Sequence, residues 1–235
     1  MTATLTGVER VLAALARVRD PELDEPITSL GFVAGCTLSA EGVARVRLRL
    51  PTYFCAPNFA FLMVADAYDA VSATHGVRST EVILEEHFAA DAINHGVAAR
   101  AGFARSFAGE AVGELDRLRA DFLRKAVLAG TDQVCRLLLA AGIDAAELSS
   151  LRLGSVPASP ALQRLRHRRA ELGLPASDQD PLLIDPATGE PVLPDAAPLH
   201  LMRARTTRVS IDANTGVCRG MLRHRYPDRG LGEEE

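Results

Sequence analysis

The chain has 235 residues, 48% of them hydrophobic and 24% charged, and a formal net charge of −4. This length and balance predict a globular protein made of one domain with an extension, or of two small domains. The acidic net charge argues against a protein that coats nucleic acid, because neutralising phosphates requires a basic surplus. There is no run of eighteen apolar residues and no export-signal pattern at the start, so we expect a cytoplasmic protein with no membrane partner.

Hydrophobic periodicity and turn residues predict an α-β-β-α-β-α order for the first part of the chain. The first helix should stop before Asp20-Pro21, and the turn "SAEG" should join the first two strands into a hairpin. The predicted elements are a helix over 6–19, strands over 32–38 and 43–50, a helix over 57–75, a strand over 77–86 and a helix over 87–104. Together they indicate an α+β fold with a small mixed sheet.

This order brings three loops to one end of the predicted sheet. The tight hairpin makes strands one and two antiparallel, whereas the β-α-β connection makes strands two and three parallel. The entry to strand one and the exits of strands two and three therefore lie together, at the edge where ligands usually bind in open α/β sheets. Candidate side chains in these loops are Asp20, Glu22, Thr52, Cys55, Glu85, Glu86 and His87.

From about residue 106 the sequence predicts helices and then β-hairpins. Gly130 and Gly142 each end a helical pattern, and Ser159-Pro160 begins another. The segments "LLIDPATGEPVL" and "TRVSIDANTGVCRGML" each place an Asp-x-x-Thr-Gly turn between strand-like arms, which predicts two hairpins. We therefore divide the chain into a domain over 1–105 and a helical region with two C-terminal β-hairpins over 106–235. Its tail, 226–235, is predicted to be disordered.

Cys55 is the first candidate for chemistry, because it immediately precedes the second predicted helix. Unpaired amide groups and the helix dipole favour an anion there, and a thiolate can bind a soft or borderline metal or attack an electrophile. The alternative is a small buried residue that fills space under the loop. The remaining cysteines are assigned no role, and the wide spacing of all four predicts reduced thiols and no closed zinc site. They are Cys36, Cys135 and Cys218.

A second candidate set lies on the helix predicted after the third strand. His87, Asp91 and His95 stand four residues apart and would project from one side of that helix. Two imidazoles and a carboxylate suit iron or zinc, and Glu86 is near enough to add a ligand. The alternative is an ordinary polar outer face. The basic run "RLRHRR" over 164–169 is interpreted as a solvated charged face.

The segments "VRDPELDEPITSLGFV", "LPTYFCAPNFAFL" and "GVRSTEVIL", in this order, resemble the metal-sulfur cluster assembly factor family. That family includes SufT-type proteins, PaaD and the small domain of the eukaryotic cytosolic iron-sulfur assembly factor. The resemblance covers about residues 6–90 and implies roles for Asp20, Glu22 and Cys55 in handling iron or an iron-sulfur cluster. Family members usually carry a threonine four residues before the cysteine, where this chain has Pro51 followed by Thr52.

The resemblance implies a non-catalytic maturation factor that transiently holds iron or an iron-sulfur cluster and passes it to a client metalloenzyme. The expected client is an oxygenase subunit, because some relatives accompany multicomponent, including di-iron, oxygenases. Two alternatives stay open: a metal-free chaperone or adaptor that binds its client through 106–235, and an enzyme that uses Cys55 with His87 as its base. The exposed edge of the third strand would also permit a homodimer.

Overall fold

The computed structural model describes residues 6–107 and 114–227. The chain divides into two compact units, and the first combines the residues up to Asp116 with those from Asn214 onward. The second unit is Arg117–Ala213. The sequence places the boundary at residue 105, whereas in the structure the C-terminal segment belongs to the N-terminal unit. Among the described residues, no helix combines the length and the apolarity needed to cross a membrane.

The first unit has the predicted α-β-β-α-β-α order, which confirms the mixed α+β fold. Its elements are α1 (Gly7–Leu15), β1 (Val33–Leu38), β2 (Val43–Leu48), α2 (Pro57–Ser72), β3 (Ser79–Leu84), α3 (Ala90–Ala98) and the short α4 (Phe103–Ser106). A capping box between Thr6 and Glu9 begins α1. Pro57 begins α2, where the missing amide hydrogen costs nothing.

The three strands form a mixed sheet in the order β1-β2-β3, with β1 antiparallel and β3 parallel to the central β2. Along β2, Ala44, Val46 and Leu48 are buried, while Arg45 and Arg47 lie on the opposite face. This alternation arises because the side chains of a strand point to opposite faces in turn. The buried face belongs to one hydrophobic core that also includes residues of α1 and α2.

The second unit is mainly helical. Its elements are α5 (Glu114–Ala140), which begins in the first unit, α6 (Ala145–Ser150), a 3-10 turn (Leu153–Ser155), α7 (Pro160–Glu171) and the long α8 (Ala197–Arg225), which continues into the first unit. A separate core formed by residues such as Val127, Leu148 and Leu165 holds this unit together.

Only the first of the two predicted hairpins forms. In that segment Ile184 pairs with Pro191, and the amide of Gly189, at a φ of +78°, donates to the carbonyl of Asp185. The second predicted hairpin is wrong, because "TRVSIDANTGVCRGML" lies within α8. The buried positions Ala204, Thr215 and Leu222 are separated by whole numbers of helical turns, so a helix keeps them on one side where a strand would not.

The basic run over 164–169 is not a fully solvated face. Arg168 and Arg169 are 3% and 0% exposed. Arg169 donates to the carbonyl oxygens of Pro181 and Leu182, and burial lowers the pKa of its guanidinium to about 10. This part of the run therefore holds a loop of the second unit in place.

Candidate functional site

The exits of β2 and β3 meet at one end of the sheet, as the topology predicts. The amide of Glu85 donates to the carbonyl of Leu48, which continues the pairing of the two strands beyond their ends. Arg225, the last residue of α8, donates to the carbonyl oxygens of Leu50 at 3.1 Å and Glu86 at 2.6 Å. One guanidinium thus holds together the two segments that carry the candidate residues.

Cys55 lies in the segment that follows β2, one residue before the N-cap of α2, and its side chain is partly buried against the core. Its Sγ is 3.3 Å from the hydroxyl oxygen of Thr52, which also accepts a hydrogen bond from the amide of Phe54 at 3.2 Å. Accepting this hydrogen bond occupies a lone pair of the Thr52 oxygen, so the hydroxyl hydrogen can still be donated to the sulfur. Thr52 is therefore a hydrogen-bond donor suited to a thiolate at Cys55.

His87 contacts the backbone of Cys55 and not its thiol. Its Nε2 is 2.7 Å from the Cys55 carbonyl oxygen, and its Nδ1 accepts from the amide of Ala89 at 3.2 Å. These partners require the hydrogen to be on Nε2 and leave neither ring nitrogen free. Burial, together with the nearby Arg225 charge, lowers the pKa of His87. In this arrangement the imidazole positions the loop and is not placed to act as a base for the sulfur.

The prediction that His87, Asp91 and His95 share one face of a helix is wrong. The helix after β3 begins only at Ala90, so His87 precedes it. His87 is 5% exposed, whereas Asp91 and His95 are exposed to solvent. Ile93 and Val97 form the buried side of α3, so the solvent-facing alternative describes Asp91 and His95 correctly.

The carboxylate of Glu86 binds residues at the end of α8. Its carboxylate accepts from the hydroxyl of Tyr226 at 2.9 Å and from Arg225 at 3.3 Å. Its backbone has a φ of +50°, in the region that residues other than glycine seldom adopt. The surrounding bonds therefore hold Glu86 in place. Of the predicted tail, Tyr226 is thus ordered, while residues 228–235 lie outside the described residues.

Asp20 is a buried carboxylate in a tight loop before β1. One of its oxygens accepts from the amides of Glu22 and Leu23, both at 2.9 Å, and the residue is only 8% exposed. Burial outweighs these two hydrogen bonds and raises the pKa of Asp20 to about 6. No lysine or arginine of the described residues forms an ion pair with it. Glu22, next along the loop, accepts from the side-chain amide of Asn214 at 3.2 Å.

Cys218 is a neighbour of the site that the sequence reasoning missed. It lies on α8 one helical turn after Asn214, and it packs partly buried against the same core as Cys55. Burial raises the pKa of the Cys218 thiol to about 11, and the nearby Asp20, Cys55 and Glu22 act in the same direction. The acidic loop and Cys55 therefore share one electrostatic neighbourhood. A helix predicted over 214–222 would have put Cys218 on the same face as Leu222. The sequence pattern does not show which part of the protein that face contacts.

In the described ranges, no group of three or more His, Cys, Asp or Glu side chains is arranged to hold a metal ion. The candidate ligands therefore do not form a closed cage. Cys55, Cys218, Asp20 and Glu22 form the set that we call the sulfur-acid site. Glu86, His87, Asp91 and His95 are not counted in this set, because the side chains of Glu86 and His87 make the hydrogen bonds described above and those of Asp91 and His95 are exposed.

An exposed aromatic cluster borders Cys55. Tyr53, Phe54 and Phe88 are 47%, 76% and 49% exposed, and their ring centroids are 5.0 to 6.3 Å apart. The amide of Phe88 donates to the carbonyl of Tyr53, so the backbone fixes the cluster across the two loops. Large aromatic side chains of this kind are enriched in protein interfaces. The cluster thus offers an apolar contact surface directly beside the thiol-bearing loop.

Comparison with known proteins adds one finding. Residues 8–84 match the family model described as iron-sulfur cluster assembly protein. The match includes α1, the three strands and α2, and it contains Asp20, Glu22 and Cys55. Comparisons with curated proteins and with solved structures give no significant match.

Proposed function

From the match of residues 8–84 to the family model described as iron-sulfur cluster assembly protein, we propose that the chain is a maturation factor for a client metalloenzyme. In this role it holds ferrous iron or an iron-sulfur fragment transiently at Cys55, with Asp20 and Glu22 as oxygen ligands. It then transfers this cargo to a metal-free client, which we propose is an oxygenase subunit. The metal is a cargo, so the protein needs no catalytic residue of its own.

The observation that carries this proposal is the convergence of the acidic loop and the Cys55 loop at one end of the family's sheet. Asp20 and Glu22 come from the segment before β1, and Cys55 comes from the segment after β2. The end of α8 contacts both segments, because Asn214 donates to Glu22 and Arg225 donates to the carbonyl oxygen of Leu50 in the segment that leads to Cys55.

The ligand types suit temporary binding. Thiolates bind iron in clusters strongly, whereas carboxylate oxygens are harder ligands that favour other geometries and metals. A site with few sulfur atoms and no preformed cage therefore binds iron more weakly than four thiolates would. Weak, open binding supports transfer, since the client must be able to take the metal.

The aromatic cluster supports a protein acceptor. Tyr53 and Phe54 precede Cys55 by two residues and one residue, so a client that covers these rings also lies over the thiol-bearing loop. Exposed aromatic rings that gather at one point typically contribute much of the binding free energy of an interface. This supports delivery to a folded client beside the site and not release of iron into solution.

A transfer experiment tests the proposal. The full chain is reduced, loaded anaerobically with ferrous iron, freed of excess metal and mixed with a metal-free di-iron oxygenase subunit from the same organism. We expect the client to gain iron and activity faster than from an equal amount of free ferrous iron in the presence of a weak chelator. Cys55→Ser should remove this advantage, whereas Cys36→Ser, a matched change of a half-buried cysteine on β1, should retain it.

The result also separates the carrier from a metal-free adaptor of another kind, one that binds its client through the aromatic cluster and not through 106–235. An adaptor would accelerate maturation equally well with Cys55→Ser, and it would lose its effect in a Phe54→Ser, Phe88→Ser double variant. That pair of results would refute the carrier function. The exposed aromatic cluster is the observation that favours the adaptor. The Cys55 variant and the aromatic double variant together distinguish the adaptor from the carrier.

A further inference from the structure

The C-terminal part of α8 is bound to every loop of the sulfur-acid site, although it lies outside the matched residues 8–84. At its start, Asn214 donates to Glu22 of the acidic loop. Further along, Arg219 forms an ion pair with Glu25 of the same loop. At its end, Arg225 binds the segments after β2 and β3.

These anchors fix the position of Cys218. It lies one turn after Asn214 and two turns before Arg225, so its side chain is on the same face of the helix as these two anchors, which contact Glu22 and Leu50. The neighbouring Leu222 is buried in the core of the first unit, and Cys218 and Cys55 both pack against that core. The chain thus places a second sulfur on the core against which Cys55 also packs.

The charges around this point are unbalanced. Among the described residues, Asp20 is buried with only amide partners, and Glu22 is bonded to the neutral side chain of Asn214. On the preceding turn of α8, Thr215 is 4% exposed, and its hydroxyl oxygen has no hydrogen-bond partner in the described part of the chain. A buried carboxylate without a cation and a buried hydroxyl without a partner are both costly, and a bound cation would relieve the first cost.

We propose that Cys218 is the second sulfur ligand of the cargo, so that iron is held between the family domain and the C-terminal helix. This inference rests on the proposed function and extends its site beyond the matched residues. When the metal binds, the S–H bond of Cys218 breaks, a bond from Sγ to the metal forms, and the proton leaves to the buffer without any change of oxidation state.

Because the described residues form no closed cage, the side chains must approach one another as the metal arrives. The three residues Cys55, Cys218 and Glu22 come from α8 and from segments that α8 contacts through Asn214 and Arg225. The same feature gives a release step: movement of the C-terminal helix would remove one sulfur and weaken the hold on the metal.

Cobalt(II) titration of the reduced full chain tests the proposal, because each thiolate bound to cobalt adds to a charge-transfer absorption band in the near ultraviolet. We expect Cys218→Ser and Cys55→Ser each to lower this band by about half, the double variant to abolish it, and Cys36→Ser to leave it unchanged. A band in Cys218→Ser equal to that of the unchanged protein, together with a loss in Cys55→Ser, would overturn the role of Cys218 and leave the carrier function intact.

Absence of any cobalt or ferrous iron binding by the unchanged protein would instead refute the carrier function and this inference with it. Thermal unfolding checks that the variants are folded. If Cys218→Ser does not fold, Cys218→Ala, which keeps a small apolar side chain against the core, is titrated with cobalt in the same way and should also lower the band by about half. A band of unchanged height in the folded Cys218→Ala variant would contradict the proposal.

Discussion

The hydroxyl oxygen of Thr52 lies 3.3 Å from the sulfur of Cys55. The resemblance described in the sequence analysis would put a threonine four residues before the cysteine, a place taken by Pro51 in this chain. The structure shows that the residue after Pro51 supplies a hydroxyl to the sulfur. The tight turn, in which Thr52 also accepts from the amide of Phe54, makes this contact with a spacing of three residues.

Removing this hydroxyl should make Cys55 less reactive. Thr52→Val keeps the shape of the side chain but deletes the donor, and a hydrogen bond to a charged group contributes about 1.5 kcal/mol or more. We therefore expect alkylation of Cys55 by iodoacetamide at neutral pH to slow by up to about tenfold, while Thr52→Ser reacts like the unchanged protein. Labelling is followed by peptide mass spectrometry, with Cys36 as the internal reference. An unchanged rate in Thr52→Val would show that the hydroxyl does not stabilise the thiolate.

The ionised carboxylate of Asp20 should lower the unfolding free energy of the metal-free protein. Its folded-state pKa of about 6 lies above the ordinary 3.8, so the folded protein disfavours the ionised form. Above pH 6 this costs about 1–3 kcal/mol of unfolding free energy, since one pKa unit corresponds to about 1.4 kcal/mol. The substitution Asp20→Asn keeps an acceptor for the Glu22 and Leu23 amides and removes the charge. The metal-free variant should therefore be as stable as the unchanged protein, or more stable, at pH 7.5.

The difference in unfolding free energy between Asp20→Asn and the unchanged protein should depend on pH. The cost of ionising Asp20 disappears as the pH falls from about 6 towards 3.8, so any advantage of Asp20→Asn should shrink over that window. Urea unfolding at pH 7.5, 6 and 5 in the presence of EDTA measures this difference in unfolding free energy. The variant Glu22→Asp, which retains the neighbouring charge, serves as a control. Strong destabilisation by Asp20→Asn at pH 7.5 would show that the carboxylate has a structural partner.

Arg225 should couple the two segments that follow β2 and β3. It makes hydrogen bonds to Leu50 and Glu86, each contributing about 1 kcal/mol. Arg225→Ala should therefore lower the unfolding free energy of the first unit by about 1–3 kcal/mol and speed amide hydrogen exchange over 50–55 and 85–88. Arg223→Ala, at an exposed arginine of the same helix, should change neither quantity. Equal effects of the two substitutions would rule out a specific clamp.

The sequence predicts the sheet well because its signals are local. Arginines alternate with apolar residues along β2, and a tight turn allows only an antiparallel hairpin. The β-α-β connection then fixes the direction of β3. The loops that carry Asp20 and Cys55 follow from this order, so these two candidates could be named before any coordinates.

The sequence does not predict what depends on distant packing. Asp-x-x-Thr-Gly forms a turn at 185–189 but is helical at 212–216, because in α8 the flanking buried positions recur at helical spacing and decide the outcome. Likewise His87 precedes its helix, since its ring is held by the carbonyl of Cys55 and the amide of Ala89. Cys218 could not be connected to Cys55, which is far away in sequence, without knowing where α8 packs.

X-ray absorption at the iron edge tests the central claim most directly. The reduced full chain is loaded anaerobically with one equivalent of ferrous iron, and the scattering of neighbouring atoms is compared between the unchanged protein, Cys55→Ser and Cys36→Ser. We predict sulfur scattering together with oxygen scattering in the unchanged protein and in Cys36→Ser, with the sulfur contribution lowered in Cys55→Ser. Iron surrounded by oxygen and nitrogen alone in the unchanged protein would contradict the claim that Cys55 holds the metal.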